Sequence, residues 1–269
     1  MIELYDGHVH TLHSTDAGLD NAVQNCIAAL RAGLSGIAIT DHCDMGTTRD
    51  DAWRQRLEAS VHDAVDARER FAGRLRVAVG VELGQPLHEP NLAAEALSSA
   101  SFDVVLGSLH NLKDQSDFFE IGSVHPDKRA LLTAYFTETL DMVTHADFDV
   151  LTHLTYPFRY LGNGEDTPSV REFEEILRAI FAQLAQRGKA LECNLSGLFS
   201  PRHGKTMPEL WELKLFRACK GELVTLGSDA HRAVNIGREM AYGVDLLRLA
   251  GFENQVFYSS RKPHYMPLY

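Results

Sequence analysis

The chain is short of cysteine, of basic charge and of long apolar runs, and each shortage removes a class of protein. Cys26, Cys43, Cys193 and Cys219 are the only four cysteines in 269 residues. They form no C-x-x-C pair and no disulfide framework, so small buried thiols in a reducing, cytoplasmic setting are expected. Lys and Arg number 26 against 37 Asp and Glu, a formal net charge of −11. Nucleic acids and anionic membranes require clustered basic side chains, so neither is an expected partner. No apolar run is long enough to span a bilayer, and no basic-then-apolar leader opens the sequence. With no low-complexity segment, linker or evident repeat to divide it, a chain that is 45% hydrophobic suits one large α/β domain over residues 1–269.

What is present is an alternation of two periodicities. Short β-branched or continuously apolar runs predict strands near residues 5–10, 36–40, 75–81, 102–108, 148–152, 190–193 and 222–227. Between them, apolar residues at helical spacing predict helices near 19–32, 50–71, 92–99, 128–144, 169–187, 208–219 and 243–250. Residues 111–127 read as a long loop, and 256–258 as a final short strand. Strand–helix units of about 30 residues are the signature of a parallel sheet with helical crossovers. Seven such units closing on themselves make a TIM-like barrel, and an open doubly wound sheet is the alternative. The barrel is preferred because nearly every strand ends in a ligand-type residue, and a barrel gathers those ends at one face.

His8 and His10 stand two apart on the first strand, so both side chains aim to one side, with Asp6 two residues further back as a partner to orient them. Later strands end at His42, Glu82, His110, His153, Asp229 and His231, and Asp16 lies in the first loop. Six imidazoles and three carboxylates exceed the needs of one tetrahedral ion, so two to three divalent transition metals are expected, drawn from Zn, Mn or Fe. The other histidines (His62, His88, His125, His145, His203 and His264) read as structural or solvated. His203 is the exception to watch, because Arg202 and Lys205 stand beside it.

These residues carry a resemblance. His8-Val-His10, Thr40-Asp41-His42, Gly80-Val81-Glu82, Gly107-Ser108-Leu109-His110, Thr152-His153 and Gly227-Ser228-Asp229-Ala230-His231 resemble the PHP (polymerase and histidinol phosphatase) superfamily over essentially the whole chain. The stretches Gly80–Pro86, Phe148–His153, Tyr156–Tyr160, Glu192–Gly197 and Arg261-Lys-Pro263 are similar to its histidinol-phosphatase branch. The resemblance implies a distorted (βα)7 barrel with three metals at the C-terminal ends of the strands. It implies that His8, His10, Glu82 and Asp229 hold the first metal, that Glu82, His110 and His153 hold the second with Glu82 bridging, and that Asp16, His42 and His231 hold the third. His13 is the rival to Asp16, because many members carry histidine there.

The implied activity is hydrolysis of L-histidinol phosphate, a small phosphorylated substrate, by a water that loses its proton between two cations and attacks phosphorus in line. Glu82, Asp229, His231 and Arg159 are the expected catalytic set, with Arg159 clamping the phosphate. Arg202, Asp117 and Asn194 are the further expected substrate contacts, and Glu120 stands with Asp117 as a partner for the substrate's ammonium group. Phe199 is a departure, since an arginine is expected after Leu198 in this branch and Arg202 stands near as a replacement. The competing readings are a phosphoesterase acting on nucleotides, an amidohydrolase, which usually wants a bridging lysine, and a metal-buffering protein. The sequence gives neither the metal identity nor the oligomeric state.

Overall fold

Seven strands lie side by side in parallel register and curl until the first meets the end of the last. This arrangement is seen in a computed structural model that describes residues 2–46, 49, 51–122, 126–162, 164, 166–201 and 203–269. In chain order the elements begin with β1 (Tyr5–Val9), α1 (Ala22–Arg31), β2 (Gly36–Ile39), β3 (His42–Asp44), α2 (Trp53–Arg70), β4 (Arg76–Gly84), α3 (Pro90–Ser98) and β5 (Val104–Ser108). They continue with α4 (Phe118–Ile121), α5 (Lys128–His145), β6 (Val150–Leu151), α6 (Phe158–Leu161), α7 (Glu174–Gln186), β7 (Ala190–Asn194), α8 (Leu210–Ala218), β8 (Val224–Gly227) and α9 (Met240–Leu249). A hairpin of β9 (Asn254–Ser259) and β10 (Lys262–Pro267) completes the set.

The sheet order β1-β2-β4-β5-β6-β7-β8 follows the chain, and β3 extends the path of β2 and pairs with β4. The ring is drawn together by a parallel bridge between Val9 and Ala230. Two backbone hydrogen bonds flank that seam, Asp229 N to His8 O at 2.9 Å and His10 N to Ala230 O at 3.0 Å.

Alternation along each strand divides the core in two. Ile37, Val77, Val79, Val105, Leu151, Leu191 and Val224 face the surrounding helices, where Cys26, Leu57, Phe136, Leu177, Phe181 and Phe216 meet them. Ala38, Ala78, Val104, Leu106, Val150 and Ala190 form a second cluster with Val256, Tyr258 and Met266 of the hairpin. The hairpin therefore closes the bottom of the barrel, and Arg261 at its turn holds Asp147 and Asp149 below β6. The same inner positions become polar toward the top, as in Ala78–Gly80–Glu82, Leu106–Ser108–His110 and Ala190–Glu192–Asn194.

The distorted TIM-like barrel expected from the sequence is present, with four local differences. The run predicted as a last strand is half of an antiparallel hairpin. Residues 111–127 contain the short helix α4, begun by Asp117, whose carboxylate accepts the Phe119 N–H. The helix predicted from about Asp50 begins at Trp53, and Asp50 lies outside the described residues. The segment after His42 is a strand, because it continues the β2 path far enough to pair with the long β4.

Candidate metal centre

Glu82 stands at the centre of the barrel mouth, fully buried, and divides its two oxygens among five histidines. Oε2 lies 3.1 Å from His8 Nε2, 3.5 Å from His10 Nε2 and 3.1 Å from His42 Nδ1. Oε1 lies 2.8 Å from His153 Nε2 and 3.1 Å from His110 Nε2. Across the seam, Asp229 Oδ1 is 3.2 Å from His10 Nε2 and 3.7 Å from His8 Nε2. A third group lies nearer the surface, where Asp16 Oδ2 is 3.1 Å from His231 Nε2 and Oδ1 is 3.5 Å from His42 Nε2. His13 turns away and meets Asp63 on α2 at 2.9 Å.

The outer faces of the rings fix which nitrogen carries hydrogen. His8 Nδ1 is 2.8 Å from Glu192, whose carboxylate can only accept. Ser14 donates its one hydroxyl hydrogen to Asp41, so it accepts from His10 Nδ1 at 2.9 Å. Asp44 takes His110 Nδ1 at 2.9 Å, and the Asp229 carbonyl takes His231 Nδ1 at 2.9 Å. In the neutral rings, Nε2 of all four histidines is therefore a lone pair, and each faces a carboxylate oxygen. His8 Nε2 and His10 Nε2 also face each other, 3.0 Å apart. His42 Nδ1, which is buried, makes no hydrogen bond among the described residues. Acceptors aimed at acceptors are repulsive unless a cation stands among them. Imidazole with carboxylate is moreover a donor set suited to Zn, Mn and Fe. The residues thus fit divalent metals, and three overlapping trios bring their ligand atoms within 4.8 Å: His8, His10 and Glu82; His42, Glu82 and His110; and His10, His42 and His231.

Protons are the alternative occupants of the same positions. Burial opposes charge on His8, yet Glu192, Glu82 and Asp229 raise its pKa well above the usual value. Burial likewise opposes charge on His42, but Glu82, Asp16 and Asp44 raise it to about 10. His10 goes the other way, to about 4, through burial and the adjacent His231 and His42 rings. Burial works to raise Glu82, but the imidazoles of His42, His8 and His110 hold it well below the carboxylate range.

Several site positions depend on unusual local backbone. His153 and Asp229 occupy positive φ, at 23° and 52°, a region costly for residues with side chains. Gly227 is required by proximity, since a Cβ there would sit 2.1 Å from Glu192 Oε1. Gly84 is required for the same reason, its Cβ falling 1.9 Å from Asp44 Oδ1.

Above the cluster opens a cavity of about 600 Å³. Arg159 enters it with Nη1 3.1 Å from Ser196 Oγ and 3.8 Å from Asp229 Oδ2. Asp117 and Glu120 line the same cavity, with Phe119 and Tyr160 edge to face beside them. Asp117 accepts from Tyr156 Oη at 3.0 Å, and burial raises its pKa.

Two expectations change. Asn194 does not line the cavity; it is fully buried, giving its amide N–H to Glu192 and accepting from Ser196. Its side chain is on the inner face, but one layer too deep to reach a ligand. Asp6 meets neither the His8 nor the His10 ring, because its carboxylate accepts from Ser228 N, Ser228 Oγ, Gly237 N and the His8 backbone N–H. Phe199 lies under the Arg238 guanidinium, 3.4 Å from ring centroid to Cζ. Arg202 and His125 lie outside the described residues. Sequence reasoning missed Glu192 and Asp44 as partners of His8 and His110. The two-residue spacing of strands was the available signal, since Glu192 precedes Asn194 and Asp44 follows His42 by two.

Comparison with known proteins adds a family to this geometry. The PHP domain model matches residues 6–196. A probable histidinol-phosphatase of Thermotoga maritima is 27% identical over 254 residues, 93% of this chain and 94% of that one. Histidinol-phosphatase of Lactococcus lactis is 26% identical over 263 residues, 96% of this chain and 95% of that one. The crystal structure of histidinol phosphate phosphatase from Lactococcus lactis, complexed with zinc, L-histidinol and phosphate, has the same fold. It superposes with a TM-score of 0.82 at 24% identity, covering 98% of this chain and 100% of that one. A barrel whose strand ends bring six histidines and their carboxylates to one mouth, matched by that model over most of its length, belongs to the PHP domain family.

Proposed function

We propose that this protein is a metal-dependent phosphomonoesterase that hydrolyses L-histidinol phosphate to L-histidinol and phosphate. The observation that carries the reading is the convergence of acceptor atoms on Glu82 beneath a cavity lined by both an arginine and carboxylates. Its full-length likeness to histidinol-phosphatases supports the substrate.

His8, His10, Glu82 and Asp229 would hold one metal, Glu82, His110 and His153 a second, and Asp16, His42 and His231 a third, with Zn, Mn and Fe the candidates. When bound, such cations neutralise charge on the phosphoryl oxygens and lower the pKa of a water in their coordination shell. The chain's own residues do the rest. Glu192, Asp44 and the Ser14–Asp41 pair hold the rings so that Nε2 faces inward. Arg159 binds phosphoryl oxygen through its paired N–H groups, a geometry that lysine lacks. Asp117 and Glu120, which line the same cavity, receive the substrate's ammonium group. His231, partly exposed, has Nδ1–H held by the Asp229 carbonyl, which leaves Nε2 beside Asp16 for the third metal.

The test is phosphate release by the metal-loaded protein from histidinol phosphate, p-nitrophenyl phosphate and nucleoside monophosphates. Histidinol phosphate is expected to have the highest kcat/KM. Nucleotides turned over at least tenfold better would replace this reading with a nucleotide phosphatase.

A further inference from the structure

Arg238 is the cation of the cavity wall that the site described so far leaves without a task. It lines the same cavity as Arg159, and its guanidinium lies flat on Phe199, 3.4 Å from the ring centroid to Cζ. Stacking uses the face of the guanidinium and leaves its in-plane N–H groups free to donate at the edge. Among the described residues, no carboxylate lies within ion-pair distance of it. Arg159 is different, for it is already engaged by Ser196 and lies near Asp229.

The backbone that presents Arg238 is fixed relative to the metal ligands. Gly237 N donates to Asp6 Oδ2 at 3.0 Å, and the same carboxylate takes Ser228 N at 2.8 Å and Ser228 Oγ at 2.6 Å. Asp6 lies two residues before His8, and Ser228 immediately precedes Asp229. One buried carboxylate thus ties the Arg238 loop to both sides of the barrel seam. Arg238 is itself exposed, so its edge stands at the open rim of the cavity, and among the described residues it has no acid paired with it there. An edge of free N–H donors above a mouth rich in metal ligands is complementary to a tetrahedral dianion.

We infer that Arg238, held flat by Phe199, is a second phosphate-binding residue, donating from the wall beside Arg159 to a non-bridging oxygen of the substrate's phosphoryl group. The inference rests on the phosphomonoesterase reading for the ligand class alone. It does not depend on which alcohol the phosphate esterifies.

The test is calorimetric titration of the full-length, metal-loaded protein with inorganic phosphate, with metal content measured on each variant. Arg238→Ala should weaken phosphate binding about tenfold, as loss of a charge-assisted contact does, with metal content unchanged. Phe199→Ala should weaken it about threefold by freeing the guanidinium, and should have no further effect when combined with Arg238→Ala. Phosphate affinity of Arg238→Ala within twofold of the parent, or no phosphate binding by the parent, overturns the inference. Histidinol phosphate turnover by the parent, assayed in parallel, separates the two readings. Arg238-dependent phosphate binding without that turnover keeps the anion site and removes the substrate. Turnover with Arg238-independent binding does the reverse.

Discussion

Glu192 holds Nδ1 of His8 at 2.8 Å and thereby turns Nε2 of that ring toward Glu82. The same carboxylate accepts the His153 backbone N–H at 2.9 Å, so it holds two of the strand-end histidines at once. Glu192→Gln should keep the volume but remove the charge that makes His8 a basic ligand. Metal affinity is expected to fall about 10- to 100-fold, as for other carboxylates behind ligand histidines, measured by competition with a chromophoric chelator. Parent-like affinity would show that the ring needs no such partner.

Glu82→Gln should cost more than any single His→Ala substitution. It removes the one anion that faces five imidazoles and leaves their repulsion uncompensated. Loss of a buried charge from its partners costs about 3–5 kcal/mol, on the order of a hundred- to several-thousandfold if it falls on the rate. Elemental analysis and phosphate release on the same preparation check this. A variant retaining both metal and rate would remove Glu82 from the centre of the site.

Asp16→Ala and His13→Ala should behave oppositely. Burial raises the Asp16 carboxyl, but hydrogen bonds from His231 and His42 overcome it and hold the pKa below the ordinary range. His13 is engaged with Asp63, away from that group. The expectation is reduced metal occupancy and at least a tenfold lower rate for Asp16→Ala, with His13→Ala within a few-fold of the parent. The reverse pattern would place the third ligand on His13.

Glu212 gives a pH dependence far from the metals. It is fully buried in α8, one oxygen accepts the Glu209 N–H at 2.8 Å, the other has no hydrogen-bond partner among the described residues, and burial raises its pKa to about 8. A carboxyl whose folded pKa is raised contributes stability that is complete below its unfolded pKa, near 4.5, and is lost as pH climbs to about 8. Glu212→Gln should therefore match the parent near pH 5 and exceed it by roughly 2–5 kcal/mol at pH 8.5, read from urea midpoints. A constant difference between the two pH values would contradict the shift.

Much of this was legible in the sequence, and the remainder fails for identifiable reasons. The strand-end ligands declared themselves because a parallel strand buried on both faces is apolar until it leaves the sheet. His42, Glu82, His110 and His153 therefore stand out against Val, Ile and Leu. The outer partners did not, since Glu192 and Asp44 lie inside strands and only the closed barrel brings them to His8 and His110. Asp6 misled because two-residue spacing gives direction without depth. It points inward, but Ser228 and Gly237 reach it first. The hairpin was half visible: the apolar run 256–258 is a strand, but nothing local to it says that it runs antiparallel beneath the barrel.

The seam of the barrel has a mechanical meaning. Val9 and Ala230 join the first strand to the last by a bridge and two flanking hydrogen bonds, and His8 and His10 stand on one lip while Asp229 and His231 stand on the other. An ion shared by the two lips acts as a clasp across the joint where the cylinder is weakest, so its removal should loosen the wall before it empties the core. Chelation is then expected to speed deuterium uptake first at the amides of His10 and Asp229, while amides of β4 and β5 on the far side of the ring stay protected. Ions held by His8, His10 and Asp229 would in that sense serve the fold as well as the reaction.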